Sequence, residues 1–288
     1  MRDRRYEIFQ LLAGCADEGE LSALPESVVD GTGFSIVYRN GGRVTFMDLL
    51  IDADILACQY AYVYEASRGW DADDDFDIDD ASWAIAGFDS AVERMVREMG
   101  AEDAVLCFTG RDNFRYSVLP TYKSNRRGKP KPVLLDPLID HAWEVWDCKA
   151  IDCLEADDVM GIMATRAPGR YVIATIDKDL RQIPGIHYNW KKERVVDVSQ
   201  RQADYWFYFQ VLTGDSTDGY AGCPGIGVRR AERVLEDAAT DPWACVVAAF
   251  ESRGLTEEDA LVQARVARIL RVDDYDFEEA QPILWSPE

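Results

Sequence analysis

Apolar positions follow two rhythms along this chain. Three continuous runs, "LLI" (Leu49 to Ile51), "AVLCF" (Ala104 to Phe108) and "YVIATI" (Tyr171 to Ile176), show no polar alternation and read as strands buried on both faces. Helical spacing fills the intervals. Residues 81 to 99 place Ile85, Phe88, Val92, Met95, Val96 and Met99 on one face. The stretch after the first strand, "LLDPLIDHAWEVW", "ADYWFYFQVLTG" and "TEEDALVQARVARIL" also read as helices, the last with Thr256 as N-cap and Asp259 three residues on. "ERVVDV" reads as a short, more polar strand, and "SIVYRNGGRVTF" allows a hairpin around Asn40-Gly41-Gly42. Strands alternating with helices predict an α/β fold with a mostly parallel sheet.

In such sheets ligands bind outside the carboxyl ends of the strands, and the acids gather there. Asp52 and Asp54 follow the first strand, Asp112 lies in the loop after the second, and Asp177 and Asp179 follow the third. "CLEADDVMG" sets Glu155, Asp157 and Asp158 at a helix start, and "GDSTDG" sets Asp215 and Asp218 at the end of a buried helix. Each group alone reads as a solvated turn or helix start, and Asp54 reads as the cap of the helix that follows it. Together they predict a shared metal site, because crowded, desolvated carboxylates are costly unless a cation holds them. With only His141 and His187 in the chain, a hard, oxygen-liganded ion such as magnesium or manganese fits better than zinc. Two such ions about 4 Å apart suit in-line phosphoryl displacement.

Composition changes the picture in two places. The 288 residues, 48% hydrophobic, are ample for one large domain or one plus a small appendage. No apolar run is long enough to span a membrane, the first residues lack a signal-peptide pattern, and seven cysteines without a CxxC pair suggest a reducing cytoplasm. The net charge of −22 argues against a nucleic-acid partner only if charge is averaged over the chain. The acidic run Asp71 to Asp80 reads as a solvated loop. Residues 111 to 131 hold seven Lys/Arg against the single acid Asp112. Arg115, Lys123, Arg126, Arg127, Lys129 and Lys131 alternate there with Phe114, Tyr116 and Tyr122, a pattern suited to phosphate pairing and base stacking. "GCPGIGVRR" adds Gly225 and Gly227, which let backbone approach phosphate, before a helix start and Arg229, Arg230 and Arg233.

"LEADDVMG", "ATIDKDL", "GDSTDG" and "GCPGIG" occur in an order and spacing that resembles the 5′→3′ exonuclease and flap endonuclease family. "NFRYSVLPTYKSNR", "DKDLRQIPG" and "ARVARIL" are similar in particular to phage exonucleases of the podovirus type. The resemblance implies a PIN-like 5′ nuclease domain over residues 47–200, then a helix-hairpin-helix DNA-binding and helical region over 201–288. It implies magnesium- or manganese-dependent hydrolysis from 5′ ends of duplex DNA, flaps or RNA–DNA hybrid, in the cytoplasm of a bacterial host. Carried over, Asp52, Glu155 and Asp157 match one metal cluster, with Asp158 the extra acid of the bacterial and phage pattern. Asp177, Asp179, Asp215 and Asp218 match the second. Tyr122, Lys123 and Arg126 match a Tyr-Lys-x-x-Arg segment whose cations face the scissile phosphate and whose tyrosine can stack on a base. Gly222, Gly225 and Gly227 match a hairpin that binds duplex phosphates, often with potassium. The family's acid after the second strand falls nearest Gly110, with Asp112 as its substitute. Residues 1–46 have no counterpart, and Met47 opens "MDLLIDAD" much as family members begin, so the expectation is a native start at Met47.

Three other readings compete. "LLIDADIL" resembles the strand-Asp-x-Asp signature of haloacid-dehalogenase phosphatases, in which Asp52 would be a covalent nucleophile. An RNA-cleaving PIN nuclease would explain the acids but not the glycine hairpin. A non-catalytic DNA-binding relative is the third.

Overall fold

The computed structural model describes residues 27–29, 35–37, 47–68, 78–126, 128–236 and 241–287. Its centre is a six-stranded sheet. β3 (Asp48–Asp52), β4 (Ala104–Cys107), β5 (Asp147–Lys149), β6 (Tyr171–Ala174), β7 (Gly185–Asn189) and β8 (Arg194–Val198) lie in the order β5-β4-β3-β6-β7-β8. Every neighbouring pair is parallel except β7 and β8. The three continuous apolar runs became its three central strands, because both faces are covered. Leu49 and Ile51 pack with Leu106, Val172 and Ala174 on one face, while Leu50 packs with Val105, Cys107 and Ile173 on the other.

The first face is covered by α1 (Ala53–Arg68), α2 (Ile78–Met99) and α4 (Leu135–Val145), and the second by α5 (Ala156–Arg166). α2 turns Phe88, Val92 and Met95 of the predicted face fully inward together with Ala84 and Ala91, while Ile85, Val96 and Met99 pack against the core partly buried. It ends at Gly100, whose φ of +61° lets Ala101 N–H return to the Val96 carbonyl. Between β4 and α4, a single turn, α3 (Arg115–Val118), starts the proline-bearing basic segment.

A third core unites α6 (Gln200–Thr213), α7 (Val228–Glu236), α8 (Pro242–Glu251) and α9 (Glu257–Ala267) around Phe207, Val211, Ala231, Val246, Phe250 and Ala264. Tyr122 is buried in this same core, so the basic segment is pinned to the helical region. After α9 a short β9 (Tyr275–Asp276) pairs with β10 (Gln281–Pro282). Upstream of the sheet, β1 (Ser27–Val29) pairs antiparallel with β2 (Ser35–Val37). The proposed turn at Asn40-Gly41-Gly42 and the acidic run Asp71 to Asp77 lie outside the described residues. Among the described residues no helix is long and apolar enough to cross a membrane.

Strand order reverses direction between β3 and β6, with β4 and β5 to one side and β7 and β8 to the other. That junction leaves a crevice at the carboxyl ends of both strands.

Candidate active site

Asp52 closes β3 and stands before α1, so its carboxylate points into the crevice. Its Oδ1 accepts the Ile55 N–H at 3.2 Å, and its Oδ2 accepts the Thr175 hydroxyl at 2.9 Å. Thr175 Oγ1 in turn accepts the Asp177 N–H at 2.9 Å, and Asp177 Oδ1 accepts the Asp179 N–H at 2.8 Å. One run of hydrogen bonds therefore crosses from β3 to the turn after β6. Thr175 was not among the sequence candidates. Its signal was a hydroxyl two residues before Asp177 in an otherwise apolar run.

These acids are crowded and desolvated. Asp52 is 2% exposed, and burial, then Asp54 and Asp177, push its carboxyl up to about 7. Burial, then Asp52, Asp177 and Glu155, push Asp157 well above the ordinary range. Asp179 rises to about 7 through burial and Asp177. Asp215 folds its own turn, accepting the Thr217 N–H at 2.6 Å, and lies 3.9 Å from Lys178 Nζ.

Across the crevice stands a cationic counterpart. Glu155 is the N-cap residue of α5. Burial alone would raise its carboxyl, but Arg115 and Lys123 hold it below the ordinary value. Lys123 Nζ donates to Glu155 Oε1 and lies 3.6 Å from Asp218. Arg126 Nη2 donates to Asp218 Oδ1 at 2.7 Å. The Tyr122 hydroxyl lies 2.9 Å from Glu155 Oε2 and 3.0 Å from Asp218 Oδ2. Burial would lower the Lys123 ammonium, but Glu155 and Asp218 keep it above its ordinary value, so it stays charged.

The donor set is carboxylate oxygen throughout, which fits a hard divalent ion, and the raised carboxyls mark burial and mutual repulsion that a cation would offset. Among the described residues, no three His, Cys, Asp or Glu side chains converge closely enough to chelate one ion as they stand. The arrangement is an acidic basin with Lys123 and the Tyr122 hydroxyl between Glu155 and Asp218, rather than a closed cage.

Several predicted residues stand elsewhere. Asp158 is fully buried and accepts both Arg115 guanidinium nitrogens, the Leu270 N–H and the Glu155 N–H, which uses both its oxygens. Arg115 is therefore a buried partner of Asp158 rather than a surface group for DNA. Tyr122 is 2% exposed, so its ring packs in the third core and offers no face to a base. Asp112 is exposed at φ +57° and is not drawn into the basin. No acid fits at Gly110 either, since a Cβ there would stand 2.0 Å from the Ile151 carbonyl. Asp54 is not the cap: Asp52 holds that position, and Asp54 Oδ2 accepts the Thr109 N–H at 3.0 Å across the crevice mouth.

In the loop between α6 and α7, Gly222 is a packing residue. Its Cβ would stand 2.3 Å from Gly214 N, and its N–H donates to Gln263 Oε1 at 2.8 Å. Gly225 and Gly227 are exposed ahead of α7, and Arg229 and Arg230 are exposed in its first turn, with Arg230 Nη1 on the Gly225 carbonyl. Arg127 lies outside the described residues.

Comparison with known proteins gives this arrangement a context. Residues 48–205 match the family described as 5'-3' exonuclease, N-terminal resolvase-like domain. The chain is 32% identical over 222 residues to an exodeoxyribonuclease of Enterobacteria phage T3, covering 64% of this chain and 73% of that protein. It is equally similar to an exonuclease of Escherichia phage T7. Among solved structures, the T5 D15 protein co-crystallised with metal ions superposes with a TM-score of 0.59 at 13% identity, over 76% of this chain and 88% of that one. That likeness concerns the fold.

Proposed function

The chain belongs to the 5'-3' exonuclease family, and from that premise we propose that it cleaves phosphodiesters in duplex DNA or RNA–DNA hybrid from the 5′ end, with two magnesium or manganese ions. The observation that carries this reading is the convergence of acids from separate chain segments on the crevice between β3 and β6, where burial and mutual repulsion raise their proton affinity.

Asp52, Glu155 and Asp157 would hold one ion, and Asp177, Asp179, Asp215 and Asp218 the other. Bound ions would lower the pKa of an attacking water and offset charge on the leaving oxygen. The chain's own groups do the rest. Thr175 fixes the Asp52 carboxylate and the turn of Asp177 together, which holds the two acid groups in register. Lys123 stays charged, and with Arg126 it stands at the mouth of the basin, ready to pass from carboxylate to phosphodiester as substrate arrives. Charge delivered there stabilises the transition state more than the ground state if it is met only as the phosphate reacts. Gly225, Gly227 and the exposed Arg229 and Arg230 at the start of α7 would grip duplex phosphates beyond the cleavage point, a place also suited to a potassium ion. Flaps are a further substrate consistent with this geometry.

The test is a 5′-labelled duplex incubated with magnesium, with EDTA, and with the Asp177→Asn/Asp179→Asn protein. Magnesium-dependent release of labelled mononucleotides or short oligonucleotides, absent from the other two reactions, is the expected result. Failure to release label from duplex, flap or RNA–DNA hybrid in either magnesium or manganese would overturn the reading.

A further inference from the structure

The buried network behind Glu155 is given no step in the chemistry above, yet every nitrogen of its guanidinium is bonded. Arg115 is 2% exposed. Its Nη1 lies 2.6 Å from Asp158 Oδ2 and 3.4 Å from Glu155 Oε2. Its Nη2 lies 2.8 Å from Asp158 Oδ1 and 2.6 Å from the Arg268 carbonyl, and its Nε donates to the Val266 carbonyl at 2.9 Å. Asp158 also accepts the Leu270 N–H at 3.0 Å. Both partners thus hold the segment that leaves α9. The same segment crosses α5 at Gly161, where a Cβ would stand 2.3 Å from the Leu270 carbonyl. It also receives Gln182, at the end of the turn that carries Asp179, through the Ala267 carbonyl at 2.8 Å and the Ile269 N–H at 3.3 Å.

Resting on the nuclease reading, we propose that Arg115 is a positioning residue for Glu155, and that the segment Val266 to Leu270 sets the acid basin by fixing Arg115. A guanidinium presents its donors in a rigid fork. Here the fork is fully specified by two carbonyls and the two Asp158 oxygens, so the edge facing Glu155 has one orientation. Glu155 Oε2 is met by Arg115 and the Tyr122 hydroxyl, which leaves Oε1 turned to Lys123 at the mouth. Removing the fork takes one of the two groups off Glu155 Oε2, which loosens that carboxylate while the Tyr122 and Lys123 contacts and the other basin acids stay in place. The fold does not depend on the pair's charge, since a buried ion pair can be replaced by neutral groups of similar shape with little loss of stability.

The test compares wild type with Arg115→Gln/Asp158→Asn, which removes both charges so that neither is left unpaired. Manganese affinity, read by paramagnetic resonance, is expected to weaken about tenfold, as for other partners that orient a metal ligand. The kcat on duplex is expected to fall about 10- to 100-fold, with KM and EDTA-state duplex binding within about twofold. Glu155→Gln added to this variant should cost far less than it costs wild type, because both changes release the same group. A folded double variant with wild-type manganese affinity and kcat, or a Glu155→Gln effect that multiplies in full, would overturn the proposal. Should the double variant fail to fold, Arg115→Lys, which keeps the charge and loses the fork, carries the same comparison. Wild type that binds manganese but cleaves no substrate would sink the nuclease reading alone, while the manganese comparison would still judge Arg115.

Discussion

Asp52 and Asp179 carry a cost that a pH titration can read. Both carboxyls sit near 7 in the folded chain against 3.8 as the ordinary value. Between these values the folded state keeps protons that the unfolded state has released. Their contribution to stability is therefore present below about pH 4 and is lost as pH rises through 7. Without divalent ions the melting temperature should fall from pH 6 to pH 8, and Asp52→Asn should raise it by a few degrees at pH 8. Magnesium at pH 8 should stabilise wild type and leave Asp52→Asn less affected. A flat melting profile in calorimetry, with no gain in Asp52→Asn, would show that these acids are not strained. Single residues were the level at which the sequence was least reliable. Acid spacing located Asp52, Asp177 and Asp179, but adjacent letters hid opposite fates. Asp157 faces the basin while Asp158 is sealed by Arg115, because one step along a helix turns a side chain by about 100°. Arg115 looked like the other cations of its segment, and only the long-range approach of residues 266–270 buries it.

Elements were more legible where one local rule sufficed. β3, β4 and β6 followed from apolar runs, and α9 from its cap. Thr256 Oγ1 accepts the Asp259 N–H, and Asp259 accepts the Thr256 N–H at 2.8 Å. Thr256→Ala should cost about 1 kcal/mol, a shift of the urea midpoint without a change in slope. A neutral result would mean that packing of Ala260 and Ala264 alone holds the helix. β5 was hidden because its three residues, Asp147 to Lys149, show one buried side chain between two exposed charges. β7 was hidden by Gly185, a weak strand former, and by the polar His187 and Asn189; the sheet tolerates the buried His187 because its ring bonds the Ile183 carbonyl. The third strand also stops at Ala174, two residues short of its apolar run; the Thr175 N–H makes a last bond to the Tyr188 carbonyl while its hydroxyl turns to Asp52. Apolar pattern cannot register that departure.

For the whole molecule, the problem is how a chain of net charge −22 approaches a polyanion. Exposed cations must act locally, and Arg229 and Arg230 in the first turn of α7 stand apart from the acid basin. Each phosphate contact adds about 0.9 to the slope of log affinity against log salt on duplex DNA. Arg229→Ala/Arg230→Ala should therefore flatten that slope by nearly two and weaken duplex binding, leaving kcat at saturating substrate close to wild type. An unchanged slope in fluorescence anisotropy would move the duplex to another face. The α/β class and the parallel sheet were visible in the order of the elements. The packing of the last helices back onto the basin was not, because it depends on contacts far apart in sequence.

That return has a consequence for the order in which the protein becomes dangerous to nucleic acid. Arg115 waits for carbonyls 151 and 153 positions downstream, and Asp158 waits for an amide 112 positions on. On a ribosome moving at about 5–20 residues per second, Leu270 leaves on the order of ten seconds or more after Asp52. The parallel sheet can form during that interval, while the last piece of the catalytic pocket is still being made. If Arg115 positions Glu155 as proposed, a nascent chain reaches its full cutting rate only after Leu270 has emerged.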